Sequence, residues 1–310
     1  MTTALITHAA CFDHDMGPHH PECPDRLHAV LHALEAEEFA PLLRETAPEA
    51  TVEQLTRVHP SNYVEALLAI RPELGEQVAL DGDTSMGEGS AEAALRAAGA
   101  GIKAVDAVME GWARSAFAAV RPPGHHAEPN RPMGFCLFNN AAVAAMHGRV
   151  HWGLQRVAVV DFDVHHGNGT QAAFENDGGL FYASSHQSPC YPGTGQVWEQ
   201  GVAKNIVNAP LKPGDGSAAF RMAWEATILP ALDAFAPELL IISAGFDAHR
   251  DDPLAQLRVE TADYAWLTDR LVDLAERHCG GRVVSMLEGG YDLNALAASA
   301  TVHVRSLMRA

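Results

Sequence analysis

The chain has 310 residues, enough for one large α/β domain or two ordinary ones. Apolar residues make up 47% of it, many of them Ala, so it can bury a sizeable core. Its formal net charge of -18, from 21 basic and 39 acidic residues, argues against a broad nucleic-acid-binding face and otherwise describes an ordinary acidic surface.

In chain order the pattern predicts a strand at Ala4–Thr7, helices at Pro24–Glu38 and Ser90–Glu110, and a strand at Ala116–Val120. A helix at Asn140–Gly148 and strands at Val157–Asp161, Leu180–Ala183 and Asn205–Val207 follow. A helix at Ser217–Ala236, a strand at Leu239–Ser243, a helix at Thr261–His278, a strand at Val283–Leu287 and a helix at Leu293–Met308 complete the chain. This alternation predicts a mostly parallel central sheet with helices on both faces. No repeat and no long Pro/Gly/Ser linker divides the chain, so one domain over residues 1–310 is expected.

The five cysteines form no C-x-x-C pair and are odd in number, which fits a reducing compartment without a disulfide framework. The N-terminus lacks a basic segment followed by a long apolar run, and no apolar stretch is long enough to span a bilayer. A cytoplasmic protein without membrane or nucleic-acid partners is expected; a homo-oligomer is compatible with the sequence.

The most informative run is Asp161-Phe162-Asp163-Val164-His165-His166-Gly167-Asn168-Gly169, directly after the buried strand Val157–Val160. Side chains alternate along extended chain, so Asp161, Asp163 and His165 can share one face. Carboxylates and an imidazole at a buried strand end are costly to keep dry, and a bound cation offsets that cost. Other strands are followed by comparable loops: Arg121 to His126, Ser184-Ser185-His186, Ser243 to His249, and Leu287 to Tyr291. Parallel sheets carry their sites at the C-terminal strand edge, where these loops would converge.

Asp163, His165 and Asp247 are the candidate metal ligands. Three protein ligands with an open position fit a catalytic zinc, and this donor set also accepts iron or cobalt. Taken alone, Asp247 is equally well a helix cap. The pair His125-His126 sits in a turn stiffened by Pro122 and Pro123 and is a candidate for acid–base work, although adjacent loop histidines are more often solvated. Asp161 and Asn168 are available to orient them. A carboxylate partner raises basicity and an amide does not, so the two histidines are expected to have unlike roles. Tyr291, presented by the flexible turn Gly289-Gly290, could donate to an oxyanion; taken alone it reads rather as an ordinary half-buried Tyr at a helix start.

These loops, together with Gly-Phe-Cys-Leu-Phe-Asn-Asn at 134–140, Tyr-Pro-Gly-Thr-Gly at 191–195 and the run Gly17 to Leu27, resemble the histone deacetylase superfamily, in particular the class II-like bacterial amidohydrolases. The resemblance covers nearly the whole chain in order. It implies a three-layer arginase/deacetylase-like fold and a zinc-dependent deacylase with one Zn2+ per chain. It assigns Asp163, His165 and Asp247 to zinc, His126 to general base and acid, His125 with Asp161 to electrostatic support, and Tyr291 to the substrate carbonyl. Which histidine protonates the leaving amine stays open. It further implies a substrate channel of Gly134, Phe135, Tyr191 and Leu254, an inner-cavity role for Arg26, and a K+ site on main-chain oxygens of Asp161, Asp163 and His165 with Ser184.

The implied substrate is a peptide or small molecule bearing acyl-lysine, with an acetylpolyamine or a small xenobiotic amide as alternatives. Leu254 disfavours polyamine selectivity, although Asp251 and Asp252 lie close in sequence. A non-catalytic acyl-lysine sensor is the reading from a different class; the presence of Tyr291, the His pair and all three ligands weighs against it. Asp83 is expected near the entrance.

Overall fold

A computed structural model describes residues 2–309. Ten strands run β1 Thr3–Thr7, β2 Leu43–Thr46, β3 Val78–Ala79, β4 Ser85–Met86, β5 Ser115–Ala118, β6 Val157–Asp161, β7 Leu180–Gln187, β8 Ile206–Leu211, β9 Leu239–Ala244 and β10 Val283–Leu287. Eight of them form one sheet in the order β2-β1-β5-β10-β9-β6-β7-β8, and every neighbouring pair is parallel. Such a sheet must be covered on both faces, and its central strands accordingly read as short, wholly buried apolar runs. Long helices cover it, notably Ser90–Glu110, Asn140–Val150, Thr261–Cys279 and Leu293–Leu307. No helix among the described residues is long and apolar enough to cross a membrane.

The strand order explains how residues distant in sequence meet. Strands β5, β10, β9 and β6 are consecutive in the sheet, and the loops after them carry the His pair, Tyr291, Asp247 and the Asp/His run. The helix Ser90–Glu110 is Ala-rich because it is tightly packed: a Cβ on Gly99 would lie 1.9 Å from the Pro48 carbonyl oxygen.

The predicted elements differ from the observed ones where local pattern is a poor guide. The first helix stops at Ala33, and a separate 3-10 turn at Glu37–Phe39 then buries Phe39. The expected helix Ser217–Ala236 is a continuous path with a π turn at Trp224–Ile228, which leads into Leu229–Phe235. Pro230 cannot donate to a carbonyl four residues earlier, and the wider turn stands where that bond is missing. Strand β2 was not expected because its residues are largely exposed and give no apolar run. The short hairpin β3–β4 is also unsignalled, and its turn carries Asp83.

Behind the C-terminal edge lies a buried ionic cluster. Glu22 accepts from Arg26 Nη1 at 2.9 Å and from Arg121 Nη2 at 2.6 Å, and all three side chains are fully buried. Burial would raise the Glu22 pKa, but Arg121, His14 and Arg26 together hold it at about 2, below its ordinary 4.5. The resulting stability is therefore complete above the ordinary value and is lost as pH falls through about 2. Glu22→Gln leaves two buried guanidinium groups uncompensated and is expected to cost about 3–5 kcal/mol. Denaturant unfolding of the two proteins as a function of pH checks this: the gap should close progressively below the ordinary carboxylate pKa, and a gap independent of pH would refute the ionic origin.

Candidate active site

Strand β6 ends at Asp161, but the alternation continues through the following coil. Phe162 and Val164 turn into the core, where Phe162 packs on Phe246 and Tyr264, while Asp161, Asp163 and His165 face the cleft. Asp163, His165 and Asp247 bring one ligand atom each within 4.8 Å of one another. His165 Nδ1 lies 3.1 Å from Asp163 Oδ1 and 3.2 Å from Asp247 Oδ2. The Asp side chains are aimed by main-chain donors: Val164 N–H to Asp247 Oδ1 at 2.8 Å, Gly289 N–H to Asp163 Oδ2 at 2.8 Å, and His165 N–H to Asp163 Oδ1 at 2.9 Å.

This donor set fits a divalent metal. Asp247 Oδ2 is buried without a well-directed hydrogen bond and points into the cluster. Burial and the neighbouring Asp163 push the Asp247 carboxyl up to about 7. Burial would lower the His165 pKa, yet the two carboxylates hold it well above 6.5, the mark of a place that favours positive charge. Two glycines leave the space: a Cβ on Gly245 would lie 2.0 Å from Asp163 Oδ2, and one on Gly289 2.2 Å from Asp247 Oδ2. Asp247 is thus a member of the cluster and not merely a helix cap.

The two histidines are held differently. His125 Nδ1 lies 2.9 Å from Asp161 Oδ2, which also accepts from the Tyr182 hydroxyl at 3.0 Å. Burial disfavours the His125 cation, but Asp161, Asp163 and Glu288 outweigh it and bring its pKa to about 10. His126 Nδ1 lies 2.9 Å from Asn168 Oδ1, and Asn168 Nδ2 donates to Glu128 Oε1 at 2.8 Å. The Asn oxygen must therefore accept, so Nδ1 carries the hydrogen and Nε2 keeps its lone pair. Burial, then the nearby His125 and His165, hold the His126 pKa well below 6.5. The pair is buried, and its two members have unlike partners and unlike protonation.

A cavity of about 210 Å³ opens over these groups, lined by His125, His126, His165 and Tyr291 together with the expected channel residues Gly134, Phe135, Tyr191 and Leu254. Phe135 stands edge-on to Tyr291 at 5.9 Å and Tyr191 edge-on to His126 at 5.1 Å. Gly134 has φ +57, and a Cβ there would lie 2.5 Å from the His126 ring. Asp83 lines the rim and accepts from Gly134 N–H at 3.3 Å. Arg26 is buried, not a surface charge: its guanidinium lies 4.8 Å from the Tyr291 ring centroid and donates to the carbonyl oxygens of Gly290 at 2.6 Å and Glu288 at 2.5 Å. Ser184 sits in register with Asp161 on the adjacent strand, its hydroxyl bonded to His186.

The Gly289-Gly290 turn is tethered on several sides. Arg26 holds the carbonyls on either side of Gly289, Phe246 N–H donates to Gly289 O at 2.9 Å, and Tyr291 N–H donates to Asp252 Oδ2 at 2.7 Å. Asp252 is thereby turned inward, and Asp251 stays exposed. Sequence reasoning gave no role to Glu288 or Tyr182. Glu288 accepts from Gly124 N–H at 2.7 Å, His125 N–H at 3.2 Å and Ser243 Oγ at 3.0 Å, so it pins the His loop to β9 and β10. Its signal was an acid directly after the buried run Val283–Leu287; Tyr182, inside an apolar strand, gave none.

The histone deacetylase domain profile matches residues 20–307. The chain belongs to the histone deacetylase family. It is 41% identical over 308 residues to "Histone deacetylase 14, chloroplastic" of Arabidopsis thaliana, covering 93% of this chain and 73% of that one. It is 38% identical over 311 residues to the "Histone deacetylase-like amidohydrolase" of Pseudomonas aeruginosa, covering 93% and 81%. The crystal structure of the HDA15 HD domain superposes with a TM-score of 0.94 at 39% identity, covering 99% of this chain and 88% of that one. The arginase/deacetylase-like fold and the membership among deacetylase-type hydrolases follow.

Because Gly245 leaves the space that the Asp163 carboxylate occupies, Gly245→Ala is expected to push that carboxylate aside and to hold a divalent metal about 10–100-fold more weakly. Metal retention after dialysis against a graded chelator measures this, and wild-type retention would show that the Asp163 carboxylate can yield.

Proposed function

We propose that the protein is a zinc-dependent deacylase that hydrolyses the amide of acyl-lysine or a similar linear acylated amine. The observation that carries this reading is the union in one cleft of a buried two-carboxylate, one-imidazole cluster, a neutral His126 and a half-buried phenol, all at the floor of an aromatic-walled channel. Asp163, His165 and Asp247 would hold the metal. When bound, zinc polarises the amide carbonyl and activates a water.

The chain's own residues supply the rest. The Phe135 and Tyr191 rings, with Gly134, suit a linear methylene stem and exclude bulk water from it. His126 Nε2, with its lone pair directed by Asn168, accepts the proton of the attacking water. His125, kept cationic by Asp161, stabilises the developing negative charge. The Tyr291 hydroxyl donates to the oxyanion. The proton lodged on His126 is then placed to reach the leaving amine. A K+ ion on main-chain oxygens near Asp161 and Ser184 belongs to this reading as a modulator of the histidines.

Asp83 on the rim favours a second reading, hydrolysis of an acetylated polyamine, whose distal ammonium it would pair. The inward turn of Asp252 and the apolar Leu254 weigh against it. Hydrolysis of a fluorogenic acetyl-lysine peptide, measured beside trifluoroacetyl-lysine and N-acetylputrescine, separates the two. Turnover of the lysine substrates, removed by chelator and restored by Zn2+, is expected; turnover of N-acetylputrescine alone would overturn the lysine assignment.

Tyr291→Phe is expected to lower kcat by about two to three orders of magnitude, as loss of one oxyanion donor does. An unchanged kcat would remove Tyr291 from the chemistry. Asp247→Ala should lose metal and activity while keeping the far-UV circular dichroism of the parent, and full metal occupancy in that variant would refute the ligand set.

A further inference from the structure

Away from the cleft, the described residues form a second cluster of ligating side chains, Asp106, His147 and His151, with one ligand atom of each within 4.8 Å of the others. His147 and His151 are four residues apart at the end of the helix Asn140–Val150, so both imidazoles project from the same side. Their rings lie 4.9 Å apart and only 10° from parallel. Asp106 reaches across from the neighbouring helix Ser90–Glu110, with Oδ1 2.7 Å from His147 Nε2 and 2.8 Å from Trp152 Nε1. Its Oδ2 has no bond to either ring. The cluster is open on one side, because His151 is exposed while His147 is buried.

Two features point to a cation rather than to a plain hydrogen bond. His147 and His151 sit at the C-terminal end of their helix, and Asp106 lies near the C-terminal end of its own. Two macrodipole ends of negative sign therefore meet at one place. Two imidazoles and one carboxylate are also the borderline donor set that selects Zn2+, Cu2+ or Ni2+ over the hard ions Ca2+ and Mg2+. One group opposes binding. Arg57 Nη1 lies 3.4 Å from His147 Nδ1, although its charge is partly offset by Glu53 at 3.0 Å.

We propose that Asp106, His147 and His151 form a second, solvent-facing site for a borderline divalent cation, which clamps the C-terminal ends of the two helices. The ion would replace the hydrogen now between His147 Nε2 and Asp106, moving it to Nδ1 and displacing the weak Arg57 contact. Open positions toward solvent would be filled by water, so the site would exchange its ion readily and be separate from the catalytic cleft.

Zn2+ titration of chelator-stripped, full-length protein against a chromophoric competitor tests this. His151→Ala should take up one equivalent fewer than the parent, whereas Asp247→Ala should lose the cleft ion and keep this one. Arg57→Gln should bind the outer ion several-fold more tightly. Equal stoichiometry in His151→Ala and the parent would overturn the site whatever happens at the cleft, and an Arg57→Gln affinity equal to the parent's would overturn the role given to His147 Nε2.

Discussion

The carboxylate of Asp163 is the constraint on which the rest of the active site depends. It is fully buried, and each oxygen is claimed by a main-chain donor, His165 N–H on one side and Gly289 N–H on the other. Those two donors belong to different loops, one after β6 and one after β10. A single side chain therefore fixes the separation of the His165 imidazole from the Tyr291 phenol. Because β9 lies between these strands, the Gly245 turn and Asp247 must fit into the same gap, and only a residue without a side chain can pass beside Asp163. The cost of burying this charge is met by the imidazoles around it, which hold its pKa well below the usual carboxylate range against the effect of burial.

Much of this was legible in the sequence, for physical reasons. Central strands of a covered parallel sheet must be apolar on both faces, so β6 and β10 could be bounded to the residue. Polar residues directly after such strands have few structural excuses, and this brought Asp163, His165, Asp247 and the His pair to attention. The family motifs then implied places for Phe135, Tyr191 and Arg26. What stayed hidden depends on pairings between distant segments. Nothing near Glu22 announces Arg121 as a second partner beside the neighbouring Arg26, and nothing in the run Leu180–Ala183 marks Tyr182 as a partner of Asp161. Exposed β2 and the two-residue strands of the β3–β4 hairpin carry too little apolar signal to be read.

The histidine pair shows how one sequence dipeptide yields two chemical states. His125 and His126 are adjacent, with ring centroids 4.0 Å apart, and share one buried turn. Their difference comes from their surroundings: the carboxylates of Asp161, Asp163 and Glu288 raise His125, while burial and the neighbouring imidazoles lower His126, whose own partner is the neutral amide of Asn168. A cationic His125 also suppresses protonation of its neighbour, so the two states reinforce one another. Glu288 strengthens the arrangement by holding the main chain of the turn itself, which frees neither ring to exchange roles.

The clamp of Arg26 on the Gly289 segment has a wider consequence. The part of the cleft wall that carries Tyr291 is anchored to a buried guanidinium, while Tyr191 lines the cleft from a loop whose Val197 and Trp198 lie open to solvent. The cleft is thus a vice with one fixed jaw and one surface-borne jaw. Substitutions at the exposed Val197 and Trp198 change that side of the cleft while Arg26 keeps hold of the Gly289 segment. A cleft divided in this way can change shape on one side while the other keeps its geometry.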